Sequence, residues 1–420
     1  MNVATQSIAA VLSFLLSFSL TLRAASAEPE SPPADTSIMP PEAESAPMPA
    51  TPADINPVKI VTPYSVTKIG LLAQPQFESA GAPVGDGMSE NLYLRRIRIL
   101  IGGTLFGDFE YFVDTDSPNL LKGAGNGAKT SSAMFIQDAF VSYKILKDMV
   151  KVDAGYMLPP LAHNAVQGAT TLYSWDYFAN SFLHSNLFDN AVAPVGRDAG
   201  VQIRGLVLDG HLEYRVGMFQ GKRDPEDVIG GPIKEVVGRN FFRVAGRLQI
   251  NILDPETGFF YSGTYLGAKR IFSIGAAYDF QYSSPEYYKY WAVDGFLDLP
   301  VGPGEVTAQV NLAQWNGGSL ATLTNPLVSA AAHQTALMAE AGYRFADLQL
   351  GPIGHFEQLW VPDPSGGTTD LTETRYGGGV AWWVHGHNSN LKAFYTRVHP
   401  TTTGQQDYNL VNVQWQLYFF

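Results

Sequence analysis

His163-Asn164, His184-Ser185 and His385-Gly386-His387 are the groupings in which an imidazole stands beside a second polar side chain or a second imidazole. An imidazole beside a hydroxyl and an acid could activate a nucleophile, and two imidazoles could share a divalent metal. Triads assemble in space, so spacing along a chain does not identify one, and no second cluster supports a metal site. The His385/His387 pair falls in a predicted turn, where exposed histidines are ordinary. The 41 glycines fall in strands and turns rather than in a phosphate-cradling loop of Walker or dinucleotide type. These residues argue against an enzyme and imply no cofactor and no metal.

Arg96 and Arg98 offer a different chemistry. Two apart on an extended strand, they share one face at a spacing of roughly 7 Å and could pass an anion between their hydrogen-bond forks. Pairing with Glu110 or Asp114 on the adjoining strand is the competing use, and the stronger one.

The elements that must position these arginines come next. From Leu92 to Asp114 the odd positions Ile97, Ile99, Ile101 and Leu105 are apolar, and the even positions Arg96, Arg98, Gly102 and Thr104 are polar or small. After a Gly107-Asp108 turn, Phe109, Tyr111 and Val113 carry the apolar face, while Glu110 and Asp114 share the other with Phe112. A soluble sandwich alternates in the same way. The same dyad pattern recurs to the last residue in segments of about ten, with almost no helical periodicity between them. That is what an antiparallel β-barrel in a membrane requires. The predicted fold is all-β, a transmembrane barrel of about sixteen strands.

Parity assigns sidedness strand by strand. Lys151 and Asp153 face inward. Arg204 opposes Val201 and Ile203, Arg215 opposes Val216 and Met218, and Arg243 and Arg247 oppose Val244 and Leu248. Phe135, Ala139, Val141 and Tyr143 are expected on the lipid face. Inward basic and acidic residues nearly balance, and most report sidedness; only those at the narrowest ring would set selectivity. Residues 157–197 lack clean alternation over a length too great for a connector, and in a barrel their economical place is the lumen. This predicted constriction loop carries Asp176 and Asp189. Aromatic residues beside turns, including Tyr287, Tyr288, Tyr290, Trp291, Trp382, Trp383 and Trp415, suggest an interfacial girdle. A terminal Phe420 looks like an outer-membrane assembly signal, one position out of phase with the apolar row that ends at Phe419.

In 420 residues only 16% are charged, a low share that suits two opposite faces averaged together, and the formal net charge is -12. That acidity argues against nucleic acid as a partner and mildly against a pore devoted to anions. Cysteine is absent, which fits export without disulfides. Ile8 to Leu22 followed by Ala25-Ser26-Ala27 predicts a signal peptide over 1–27. Residues 28–57, rich in Pro, Ala, Ser and Glu, predict an extended periplasmic arm, and 58–420 the barrel.

Arg95-Arg96-Ile97-Arg98 with Gly102-Gly103, the run from Gly196 to Gly205 with Tyr214, Gly217, Phe219 and Gly221 after it, Ala245 to Leu248, and Ser273 to Gln281 together resemble the phosphate-selective porin O and P family. The resemblance spans about Tyr93 to the C-terminus and rests on the order and spacing of loose motifs. It implies a sixteen-stranded outer-membrane barrel, three per assembly, with an inward third loop and basic residues along an anion path. Arg96 and Arg98 match the family's basic first strands. The constriction departs from it, since 157–196 contains neither Lys nor Arg and has Asp176 and Asp189 instead. The expected function is passive diffusion of small hydrophilic solutes or inorganic anions across a Gram-negative-type outer membrane by a lipid-embedded homotrimer. The alternatives are a closed barrel acting as an anchor or lipid-directed enzyme, and a secreted soluble sandwich.

Overall fold

A computed structural model describes residues 58–123, 129, 133–177, 196–221, 241–282, 287–317, 333–362, 371–401 and 404–420. The signal peptide, the Pro-rich arm, His184 and Asp189 lie outside the described residues.

The strands are β1 (Val58–Val61), β2 (Ser65–Gly81), β3 (Met88–Leu105), β4 (Phe109–Asp116), β5 (Phe135–Leu146) and β6 (Val150–Met157). After a single 3₁₀ turn (His163–Val166) come β7 (Asp198–Val207), β8 (Leu212–Phe219), β9 (Arg243–Asn251), β10 (Ile271–Gln281), β11 (Tyr288–Val301) and β12 (Gly304–Asn316). The rest are β13 (His333–Phe345), β14 (Leu350–Val361), β15 (Leu371–His387), β16 (Ser389–Pro400) and β17 (Tyr408–Phe419). Each strand from β2 to β17 pairs antiparallel with the next, and β17 pairs back onto β2. Sixteen strands thus close on themselves, leaving no backbone edge to meet lipid. β1 pairs with Val66–Ile69 of β2, the part of that strand below the point where β17 ends at Leu71↔Phe419.

The dyad pattern survives into three dimensions. Ile99, Val201, Val216, Leu248 and Ile274 are exposed on the outside, and Arg98, Gln202, Arg215, Arg247 and Ser273 are buried inside. Val201 is 49% exposed. Val201→Arg should cost about 2 to 4 kcal/mol at the bilayer midplane. Reversible urea unfolding in lipid vesicles checks this, with Val201→Ala as the control that removes the apolar contact without adding a charge.

Two β-bulges change the expected sidedness. Ala73 pairs with Ile97 but Pro75 with Leu94, so Arg95 and Arg96 together oppose Gln74. The second sits where Asp114↔Asp138 is followed by Thr115↔Ile136. Beyond it Ile136, rather than the expected Phe135, is the outward residue, at 56% exposure. The aromatic girdle also divides by parity. Tyr287, Trp291, Trp382 and Trp415 are exposed outside, whereas Tyr288, Tyr290 and Trp383 are fully buried in the lumen.

Phe420 follows the inward row of β17. Its ring meets Phe112 at 5.7 Å and occupies the space left by two glycines: a Cβ at Gly70 or Gly102 would lie within 3 Å of it. This is the physical reason for the phase slip at the C-terminus. The last ring packs inside the barrel rather than against lipid.

Most connections at one end are short, and at the β7–β8 turn Leu208, Asp209 and Gly210 all have positive φ (53, 56 and 89°). The β9–β10 connection at that same end is different. Ile252 and Asp254 continue the ladder to Phe272 and Arg270, and residues 255–269 then leave it and enter the lumen.

Candidate functional site

Two inserts meet inside the barrel, one from each end. The first follows β6. Its 3₁₀ turn reaches the far wall, where the His163 backbone N–H donates to Asp294 Oδ2 (3.1 Å) and the Asn164 N–H to Asn311 Oδ1 (3.1 Å). It then runs back along the wall. Lys392 Nζ donates to the carbonyls of Leu172 (2.6 Å) and Ser174 (2.8 Å), Gln416 Nε2 donates to Thr170 O (2.8 Å), and Tyr173 stacks on Trp383. Within its described part it reaches Asp176, which takes Arg95 Nε on Oδ2 (2.6 Å) and Arg96 Nη2 on Oδ1. The β3 bulge makes this possible, because without it the two guanidinium groups would leave opposite faces of the strand.

Burial by itself would raise the Asp176 carboxyl, but Arg95 and then Arg96 outweigh it and hold the group well below the usual carboxylate range. A carboxylate depressed in the folded state contributes stability that is complete above its unfolded value, about 3.9, and is lost as pH falls through the lower folded one. The pin should therefore hold from pH 8 to 5. Open-channel current noise should stay flat over that window and rise only below about pH 4. In Asp176→Asn the noise should be high at every pH.

The second insert is 255–269. The Gly168 N–H donates to Tyr261 O (2.9 Å) and the Tyr261 N–H to Val166 O (3.1 Å), a short parallel bridge that joins the inserts. His163 lies between the rings of Tyr261 (4.7 Å) and Phe296 (4.4 Å). Its Nε2 donates to Glu256 Oε2 (2.9 Å), and its Nδ1 accepts from Gln167 Nε2 (3.0 Å). Arg215 Nη1 on β8 donates to Phe259 O, Arg344 Nη2 on β13 to Leu266 O, and His387 Nε2 on β15 to Thr264 O. The segment is thus fastened from β8 to β15.

The lumen that remains includes a cavity of about 410 Å³ set off-centre against β3–β7. Its wall side carries Arg98, Lys151, Arg197 and Arg204 with Glu110, Asp114 and Asp138; its insert side carries Thr170, Thr171 and Ser262. Phe112, Phe140, Phe259, Phe260 and Phe420 also line it. Arg98 pairs with Asp116 (2.9 Å) and Asp114 (3.4 Å), Arg197 with Asp138 (2.9 Å), Arg204 with Asp153 (2.8 Å), and Lys151 with Asp148 (2.8 Å). Glu110 pairs with Lys144 (2.7 Å).

Of the residues expected to line a pore, the cavity gathers Arg98, Glu110, Asp114, Lys151 and Arg204. Asp153 sits behind it, accepting from Ser142 Oγ, Gln202 Nε2 and Arg204 Nε. Arg96 holds Asp176 and Gln74. Arg215, Arg243 and Arg247 do not line this cavity. Arg215 holds insert carbonyls, Arg243 forks onto Asp279, and Arg247 forks onto Asp294. Parity gave their direction; Arg215 and Arg247 then met the inserts, and Arg243 met Asp279 and Asp198 on neighbouring wall strands. His163 serves packing, and among the described residues no three His, Cys, Asp or Glu side chains converge as a metal site.

Sequence reasoning missed Arg197, the five-ring cluster and the second insert. The apolar residues Phe112 and Phe140 on otherwise polar inward rows were the available signal, since a water-filled lumen has no use for them. For 255–269 the signal was the lack of alternation between Asn251 and Ile271.

A closed antiparallel barrel, apolar outside, charged inside and narrowed by inserted segments, is the architecture of an outer-membrane porin. The family described as phosphate-selective porin O and P matches residues 70–214. The paired-Arg strand and the Gly196–Gly205 run fall within that match, and the segments near Ala245 and Ser273 fall outside it. No curated protein matches the sequence. An anion-selective porin from Comamonas acidovorans is similar in structure, at 10% identity and TM-score 0.54, over 84% of this chain and 100% of that one. A Salmonella typhi OmpF complex with daunomycin is similar at 14% identity and TM-score 0.53, over 86% and 100%. In vitro folded OmpT, an outer membrane protein of Vibrio cholerae, is similar at 10% identity and TM-score 0.51, over 86% and 100%. At these identities the likeness is one of fold.

Proposed function

We propose that this protein is an outer-membrane channel for passive diffusion of small hydrophilic solutes, with a bias toward anions. The observation that carries the reading is the off-centre cavity, where four cationic side chains stand among three carboxylates. Glu110 is held by Lys144, and each of the four cations has an acid beside it. What favours an anion is the outer fork of Arg204, which lines the cavity with no hydrogen-bond partner among the described residues. Fixed charge in a narrow, low-dielectric passage acts on permeant ions far more than the net charge of the chain does. The acidic constriction expected from Asp176 is neutralised by Arg95 and Arg96, which removes the argument for a cation path at that residue.

On this reading the chain works in a Gram-negative-type envelope as a homotrimer, with 1–27 removed on export, 28–57 a periplasmic arm, and neither cofactor nor catalysis. The sequence resemblance supports the trimer, and cross-linking in detergent tests it.

In planar bilayers under a potassium chloride gradient, the reversal potential should show chloride permeating better than potassium. Lys151→Glu should reverse or abolish that preference, since it turns one of the four cations into an acid. Silence in all salts, or a potassium preference in the unaltered protein, would overturn the reading.

A further inference from the structure

Arg204 is placed differently from the other cations of the cavity. Its Nε donates to Asp153 Oδ2 (2.8 Å), and among the described residues its two Nη groups have no hydrogen-bond partner. Asp153 in turn is held by Ser142 and Gln202, so the guanidinium group is braced from behind and its outer fork is left over. Lys151 is its direct partner across the β6–β7 ladder, so the two cationic side chains leave the same face side by side. Beside them lies aromatic surface. The Arg204 guanidinium stands 5.5 Å from the centre of the Phe259 ring, which stacks on Phe140 at 4.3 Å and packs edge-on against Phe260.

Inorganic phosphate is strongly hydrated and needs donors on every side to replace its water. The phenyl rings beside the Arg204 fork supply none, and the cavity's Arg98 and Arg197 are engaged with Asp114, Asp116 and Asp138. A planar carboxylate matches a free guanidinium fork in two parallel hydrogen bonds, and an attached ring can then lie on the phenylalanines. We infer that the open fork of Arg204, with Lys151 and the Phe140–Phe259 stack, forms a seat for small aromatic monocarboxylates, which bind there in preference to phosphate. This deepens the proposed channel reading and rests on it.

The test uses the whole protein in planar bilayers carrying potassium chloride current, with sodium benzoate, acetate or phosphate added. Benzoate should reduce the current at a concentration about tenfold below that needed for acetate or phosphate. Phe259→Leu should raise the benzoate concentration for half block several-fold and leave acetate unchanged, whereas Arg204→Gln should raise both. Half-block values for benzoate and acetate within about twofold of each other, or phosphate as the strongest blocker, would overturn the inference while the channel stands. If the unaltered protein carries no chloride current, the channel reading fails instead. Benzoate titration into detergent-solubilised protein, read by calorimetry, then decides the seat by itself: saturable heat supports it and its absence rejects it.

Discussion

Excising Pro255 to Lys269 and joining Asp254 to Arg270 through Asn-Gly should raise single-channel conductance about threefold and weaken ion discrimination. The ladder prescribes the cut. Asn251 pairs with Ser273, and the bond from the Asp254 N–H to Arg270 O (2.9 Å) keeps the same register, so a two-residue turn closes the hairpin without a shift. What leaves is the bar that reaches from β8 to β15 and holds the first insert through Tyr261 and Glu256. Arg215 keeps Glu213 and Arg247 keeps Asp294, so the cations it uncovers remain paired and the wall can still close. Planar-bilayer recording on the excised protein, with folding checked by heat-modifiable gel mobility, measures the effect. Unchanged conductance in a folded barrel would mean that the bar does not limit flow.

The largest loss of stability is expected from Asp294→Ala. Asp294 takes Arg247 Nη1 at 2.6 Å and Nη2 at 2.7 Å while accepting the His163 backbone N–H, and both side chains of the ion pair are almost fully buried. Removing the acid leaves Arg247 with the neutral acceptors Gln249, Leu161 and Tyr261, which do not offset a buried charge. Breaking such a pair from one side costs about 3 to 5 kcal/mol. Guanidinium unfolding in lipid vesicles measures the cost. The double variant Arg247→Met/Asp294→Leu should recover most of it, because the penalty lies in the stranded charge rather than in the lost attraction. A double variant as weak as the single one would show instead that the contact to His163 carries the stability.

The sequence by itself determined the wall. Lipid outside and polar groups inside impose a period of two on every strand. Arg98, Lys151, Arg204, Arg215, Arg243 and Arg247 therefore point inward as their parity requires, and the strand count follows from the turns. Even the phase slip at Phe420 was visible, although its cause, a ring seated over Gly70 and Gly102, was not.

Parity gives a direction and nothing more. Whether an inward arginine meets the opening depends on its height along the barrel axis and on what lies over it. Those were settled by contacts between residues far apart in the chain, such as Lys392 with Leu172 and Arg215 with Phe259. One extra residue in β3 put Arg95 beside Arg96 and so turned Asp176 from an acidic gate into a neutralised pin. A bulge adds one residue to a run that otherwise keeps its pattern, and an insert follows no period at all. Tertiary structure alone could therefore decide that a cavity lies against β3–β7, where a guanidinium fork with no hydrogen-bond partner among the described residues stands beside a stack of rings.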